Sequence, residues 1–326
     1  MFVVPMNRTI AGFGHSVLSG FSRSLAGSCS VLLYHRVCRL DNDYLLLSVT
    51  PDNFYEQINF LKRNCRILTA EEFREIIIKR KRFLPRSVLL TFDDGYADNY
   101  YNAMPVLETL GVQAIFFIST GFVDKQVEFW WDKLENIIIQ NGQKIKEINF
   151  NGFYVKMGSV KDGIDAFNKI FPVLRNLNVA DRDNLINEWA AKANINYERD
   201  AYRPMTWEEL KRFKDSSAVV IGGHTVNHPS LGTLSIPEQR FEIESSKKEL
   251  ERHLNNRIYY FSYPFGQAYD YTKNSKEICK DAGYEIAFAN YPDRVTIISN
   301  RYSLPRFVIR DWNLSEFEKQ SAFFCK

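Results

Sequence analysis

The sequence predicts a parallel α/β fold. Apolar runs of strand length alternate with capped helical segments along most of the chain. Three of those runs, ahead of His35, Asp93 and His224, end in an acid or a histidine. In parallel α/β folds the functional site gathers at the C-terminal ends of the strands. One long stretch, residues 123–203, has no place in the alternation and reads as an insertion beside the site.

Taken in order, residues 1–28 are mildly apolar and rich in Gly and Ser, with a short helix expected over Ser16–Leu25. They read as an arm packed over the barrel end rather than as a membrane anchor. Ser30–Val37 is a strand carrying His35. Thr50-Pro51 opens a helix, Thr as N-cap and Pro at the first helical position, with Phe54, Ile58 and Leu61 as its apolar stripe. Ile67-Leu68 is a short strand, and Thr69-Ala70-Glu71-Glu72 is a capping box. The basic run Lys79–Arg82 reads as the solvated end of that helix. Ser87–Leu90 begins a buried strand that runs into Asp93, Asp94 and Gly95. Tyr100–Leu110 is helical with Gly111 as its stop, and Gln113–Ile118 is the next strand.

Within the insertion, Phe129-Trp130-Trp131 begins an amphipathic helix. Residues 147–156 form a hairpin about the Asn151-Gly152 turn, and helices follow near 159–176 and 180–193. A lid or acceptor wall and a purely structural role are equally open for it. Beyond the insertion come a capped helix at Met205–Leu210, a strand at Val219–Gly223, a helix started by Pro237 and running through Leu254, and a strand at Tyr259–Pro264. A helix over Ser275–Ala282 stopped by Gly283, a strand at Ile286–Ala289, and a last strand at Leu304–Ile309 complete the pattern.

Two stretches carry the chemistry. Asp93 and Asp94 are adjacent acids at a strand end, and burying both requires a cation or strong donors. By itself Asp-Asp-Gly is also ordinary turn chemistry. The second stretch holds His224 and His228, two of only five histidines, spaced so that one helical turn would put both rings on one side. Two histidines and a carboxylate, with positions left for water, form a divalent-metal constellation.

Thr91-Phe92-Asp93-Asp94-Gly95 and His224-Thr225-Val226-Asn227-His228-Pro229 resemble the first two motifs of the polysaccharide deacetylases, the NodB-homology enzymes of carbohydrate esterase family four. Tyr263-Pro264-Phe265-Gly266 is similar to their third motif. The resemblance spans residues 29–120 and 204–312. It implies a distorted (β/α) barrel of about seven strands, built from 29–122 and 204–326 with 123–203 inserted.

Amide hydrolysis needs an activated water, a polarised carbonyl and a proton for the departing amine. A divalent metal supplies the first two. Asp94, His224 and His228 are the expected ligands, leaving Asp93 as general base, and the resemblance implies the same roles. Zinc is the first expectation, with cobalt, nickel or manganese as alternatives. The resemblance also implies that the backbone of Tyr96 and the turn Tyr263-Pro264-Phe265 help to hold the oxyanion. Trp130 and Trp131 are the candidates for sugar stacking.

Two positions depart from the family pattern. No arginine precedes Tyr263-Pro264, so Arg306 is expected to tether the base. No histidine follows His253, so His35 is expected to protonate the leaving amine.

Net charge is only +3, from 42 basic and 39 acidic residues, and no basic stripe interleaved with aromatics suggests nucleic acid. Five scattered cysteines without a CxxC pair argue against a disulfide framework or zinc ribbon and suit a reducing compartment. The N-terminus lacks a basic region followed by an unbroken apolar run, and no stretch is long and apolar enough to span a bilayer. The expectation is a cytoplasmic enzyme, with contact to the membrane surface left open.

Its substrate is then an N-acetylated saccharide, polymeric or linked to a lipid or nucleotide, met in surface polysaccharide or lipopolysaccharide synthesis. Rival readings are another C–N amidohydrolase on the same fold and a catalytically inactive glycan-binding protein. Asp93, which metal binding does not need, counts against the last. The sequence leaves the oligomeric state open.

Overall fold

The computed structural model describes residues 27–125, 127–195 and 199–325. The helix expected over Ser16–Leu25 lies outside them. Twelve strands are formed among these residues: β1 (Cys29–Tyr34), β2 (Arg36–Val37), β3 (Ser48–Val49), β4 (Arg66–Ile67), β5 (Ser87–Phe92), β6 (Ala114–Ile118), β7 (Glu147–Phe150), β8 (Phe153–Lys156), β9 (Val219–Gly223), β10 (Tyr260–Ser262), β11 (Ile286–Phe288) and β12 (Phe307–Val308).

The main sheet is parallel and runs β11-β10-β9-β6-β5-β1-β12, with β4 against the start of β5. It curls towards closure. Leu304 bridges Phe288 on one edge, and three residues later Phe307 pairs with Leu32 on the other. The segment 304–307 therefore carries the chain from the last strand of the ring to the first. This is why the expected strand Leu304–Ile309 is split: only Phe307–Val308 lies along β1.

Strand residues are buried on both faces, as a parallel sheet covered by helices demands. Tyr34, Phe92 and Phe116 stack in succession across β1, β5 and β6, with centroids 5.2 and 4.6 Å apart. Helices Pro51–Asn64, Met104–Leu110, Trp207–Phe213, Ile236–Leu254 and Lys273–Asp281 alternate with the strands. Among the described residues no helix is long and apolar enough to cross a membrane.

Local departures have local causes. Thr50 precedes the first helix without capping it, because its hydroxyl donates to Asp311 at 2.8 Å. Asn99–Ala103 forms a π-turn ahead of Met104–Leu110; Pro105 has no N–H to return to the preceding turn, and the helix widens there. The helix before the basic run ends at Ile78, so Lys79 and Lys81 lie past its end, where they pair back to Glu75. A closing helix, Leu314–Phe324, was not expected from the sequence.

The described residues of 123–203 add no strand to the main sheet. They hold the β7–β8 hairpin, with Asn151 and Gly152 both at positive φ, and helices Trp130–Glu135, Val160–Arg175 and Val179–Lys192. Their own apolar core, including Phe129, Trp130, Leu134, Ile138, Phe167 and Trp189, extends to Tyr96 of the barrel.

Candidate active site

The C-terminal strand ends converge as the parallel topology requires. His35 follows β1, Asp93 and Asp94 follow β5, Ser119 follows β6, His224 follows β9, and Arg310 lies just past β12. His35, Asp93, Asp94, His224, His228 and Arg310 line one open cavity of about 230 Å³. The insertion contributes Trp131, Phe171 and Arg175 to its wall, and the loop after β10 contributes Phe265 and Gln267.

The two acids sit in opposite surroundings. Asp93 is gripped by Arg306, whose guanidinium donates to both carboxylate oxygens at 2.7 Å. Arg306 is fully buried; it also donates to the Ala289 carbonyl at 2.9 Å and to Ser262 Oγ at 2.7 Å. Ser262 Oγ in turn donates to Asp93 at 3.2 Å. Burial alone would push the Asp93 pKa up, but the charge of Arg306 and the hydrogen bonds it donates hold it below the usual carboxylate range.

Asp94 faces the histidines. Its Oδ1 lies 3.5 Å from His224 Nε2 and 3.3 Å from His228 Nε2. All three side chains are buried, and one ligand atom from each lies within 4.8 Å of the others. His224 Nδ1 is 2.7 Å from the Ser262 carbonyl, an acceptor only, so Nδ1 donates there and Nε2 is the nitrogen turned towards Asp94. Burial pushes His228 down to about 4, leaving that ring neutral at pH 7. Its Nδ1 is buried without a hydrogen-bond partner. A carboxylate and two imidazoles turned inward on one point, one of them with a buried nitrogen lacking a partner, form a donor set that fits a divalent cation.

The histidine segment is not the helical turn expected from its spacing. Residues 224–228 form a loop in which Thr225 and His228 take φ of 65° and 51°. Positive φ is costly for residues other than glycine, above all for a β-branched threonine. Glu242, buried on helix Ile236–Leu254, offsets the cost by accepting from the backbone N–H groups of Val226 and Asn227 at 2.8 and 2.9 Å and from the Asn227 amide at 2.8 Å. Thr225 Oγ1 accepts from the His228 N–H at 3.0 Å. On the carboxylate side Asp94 has φ 75° and Gly95 φ 90°; a side chain at Gly95 would be strained at that φ, and its Cβ would stand 3.0 Å from Ile118 Cδ1, so the turn favours glycine.

Other expected site residues separate into two groups. Trp131 reaches the cavity, its ring 4.5 Å from that of His228, and Phe265 meets the same imidazole edge-on at 4.8 Å. Trp130 does not line it: it stacks on Phe171 in the insertion core, because neighbouring helical residues point in different directions. The expectation for Tyr96 concerns its backbone; its side chain is turned away, donating from its hydroxyl to Asp132 at 2.6 Å while accepting from Trp131 Nε1 at 2.7 Å. Tyr263 is buried with its hydroxyl on the Tyr302 carbonyl, and its backbone N–H is engaged by Phe288, so it cannot serve an oxyanion. Pro264 is buried and has no N–H.

Ser262, Glu242, Arg175 and Arg310 were not singled out from the sequence. Arg310 was within reach of the strand-end logic that found His35 and Asp93. Ser262 and Glu242 act through hydrogen bonds to other residues and leave no spacing signal.

The family model described as polysaccharide deacetylase matches residues 80–287. Poly-β-1,6-N-acetyl-D-glucosamine N-deacetylase of Staphylococcus aureus is 24% identical over 298 residues, covering 87% of this chain and 79% of its own. Among solved structures, the Streptococcus pyogenes deacetylase PplD in complex with acetate superposes with a TM-score of 0.61 at 20% identity, covering 91% of this chain and 98% of its own. IcaB from Ammonifex degensii gives 0.59 at 18% identity, with coverage of 92% and 97%. The fold is therefore that of these deacetylases. With more than half of its length matched to the family model, the chain belongs to the polysaccharide deacetylase family, hydrolases that cleave the C–N bond of N-acetyl groups.

Proposed function

We propose that the chain is a metal-dependent N-deacetylase that acts on an N-acetylhexosamine polymer during surface polysaccharide or lipopolysaccharide synthesis. The observation that carries this reading is the pairing, in one cavity, of the Asp94–His224–His228 donor set with a separate carboxylate, Asp93, held by Arg306. The likeness to a poly-N-acetylglucosamine deacetylase supports the choice of sugar.

Asp94, His224 and His228 would hold the cation, zinc first among the candidates. Bound there, a divalent cation would acidify water and polarise the acetyl carbonyl. Asp93 takes the proton of the attacking water. Arg306 keeps that carboxylate ionised and fixes its direction, so no reorganisation is needed as the proton moves. The C–N bond then breaks, the acyl carbon leaving as acetate and the nitrogen taking up a proton. We assign that delivery to His35, which lines the same cavity. Burial holds its imidazole below the usual value, with Asp94 and Asp93 opposing, so the ring rests neutral and must first accept a proton before handing it on. Trp131 and Phe265 give the sugar apolar faces to rest on beside His228.

Metal content and acetate release from poly-N-acetylglucosamine oligomers test the reading together. About one zinc, cobalt or nickel per chain is expected in the wild type, with loss of both metal and turnover in His228→Ala. Absence of metal in both proteins after reconstitution would overturn the metal centre. Full metal loading without acetate release from any N-acetylated sugar would overturn the deacetylase reading.

A further inference from the structure

Two cysteines 260 positions apart meet at the far end of the terminal helix. Cys65 caps the C-terminus of helix Pro51–Asn64, its N–H donating to the Leu61 carbonyl. Cys325 caps helix Leu314–Phe324, its N–H donating to the Ser321 carbonyl. Their sulfurs are 2.7 Å apart, closer than two unbonded sulfurs rest, while a covalent bond would stand at about 2.05 Å. Both residues are partly exposed, unlike Cys29, Cys38 and Cys279, which are buried.

The surroundings hold the two sulfurs in register. The Phe324 carbonyl, one residue before Cys325, accepts from Ser30 Oγ at 2.7 Å and from Arg294 at 2.9 Å. Midway along the same pair of segments, Gln57 donates to the carbonyls of Arg310 and Trp312 at 3.0 and 2.8 Å, and Phe60 packs edge-on against Phe317. At the other end Thr50 and Asn53 donate to Asp311. The hydrogen bond shared with Cys325, with Arg86 and Arg294 nearby, holds the Cys65 thiol below its ordinary value, which makes it the better nucleophile.

From this juxtaposition we infer that Cys65 and Cys325 form a disulfide that staples the terminal helix to helix Pro51–Asn64. With a low-molecular-weight disulfide as oxidant, the Cys65 thiolate attacks one of its sulfurs and expels one thiolate. Cys325, giving up its proton, then attacks the Cys65 sulfur of the mixed disulfide and expels the second. The protein loses two hydrogens and two electrons, and the oxidant leaves as two thiols. The staple ties the far side of the segment that begins at Arg306 to helix Pro51–Asn64, so it secures β12, which holds β1 by only two paired residues.

The test uses the full-length protein treated with oxidised glutathione, quenched with an alkylating agent and digested without reduction. Mass spectrometry is expected to find the Cys65 peptide joined to the Cys325 peptide. Thermal unfolding is expected to rise by about 5 °C on oxidation, to fall back with dithiothreitol, and to show no such rise in Cys325→Ser. Two outcomes overturn the inference. One is separate alkylation or glutathionylation of the two cysteines without a cross-linked peptide. The other is an equal rise in Cys325→Ser, which would place the effect elsewhere.

Discussion

Replacing Arg306 by Gln isolates the contact on which Asp93 depends. In the wild type the carboxylate is 6% exposed and receives two hydrogen bonds of 2.7 Å from a fully buried guanidinium. Removing one partner of such a pair strands the other charge, at a cost of about 3–5 kcal/mol. The Ser262 hydroxyl at 3.2 Å is too weak a donor to make this good. Asp93→Asn strands Arg306 instead, though the guanidinium keeps its bonds to Ala289 and Ser262, so a smaller loss of about 2–3 kcal/mol is expected. Because the two losses describe one interaction, the double variant should fall short of their sum by about 2 kcal/mol or more. Urea unfolding of the four proteins in chelator measures the cycle. Deacetylation measured alongside should fall by at least about 100-fold in both single variants, while bound metal stays near one per chain. A stability loss under about 1 kcal/mol in Arg306→Gln, or additivity of the pair, would refute the claim that Arg306 holds the base.

Four further outcomes can be measured. His35→Ala should lower kcat by about 100-fold or more and leave metal content unchanged; full turnover would remove its proton-transfer role. Glu242→Ala takes three hydrogen bonds from the loop carrying both histidines, and competition with a chelating dye should show metal affinity reduced by about 10–100-fold. Trp130→Ala should cost about 3–5 kcal/mol of stability with KM unchanged, whereas Trp131→Ala should raise KM, as initial rates on the oligomer will show. Asp132 is buried and its pKa is raised to about 8, chiefly by burial. Its folded value lies above its unfolded one, so its contribution is complete below about pH 4 and is lost as pH rises through about 8. Unfolding free energies between pH 5 and 8.5 should therefore decline more steeply in the wild type than in Asp132→Asn, and parallel profiles would refute the assignment.

What the sequence made legible follows from how each residue acts. Asp93, Asp94, His35 and His224 stand directly after apolar strands, and a parallel sheet brings such positions together whatever the helices between them do. Arg306 was reached only through the family resemblance, as a stand-in for the arginine missing before Tyr263, and its contact with Asp93 depends on the chain crossing from β11 to β1 within a few residues, which no periodicity reveals. The spacing of His224 and His228 suggested a helix, but the same i, i+4 separation is met by a loop with two left-handed residues, stabilised by a glutamate from another helix. Trp130 and Trp131 are equivalent in sequence, and only the packing direction of their helix decides which one meets the cavity. The Cys65–Cys325 contact was hidden for a related reason, since one pair among five cysteines has no spacing signature.

The separation of Asp93 from Asp94 rests on a single backbone feature. Successive strand residues point to opposite faces, and two acids in regular extended backbone would not face one cavity together. The chain leaves β5 after Phe92, and Asp94 turns to φ 75° ahead of Gly95 at 90°. This turn brings the second carboxylate round to the histidines while the first stays against Arg306, so that both line the cavity from neighbouring positions. The glycine is thus as much part of the chemistry as the acids. A Gly95→Ala chain would combine a disfavoured φ with a contact to Ile118, and either relaxation moves Asp94. Loss of metal in that variant, with Asp93 and Arg306 untouched, would follow from the turn alone.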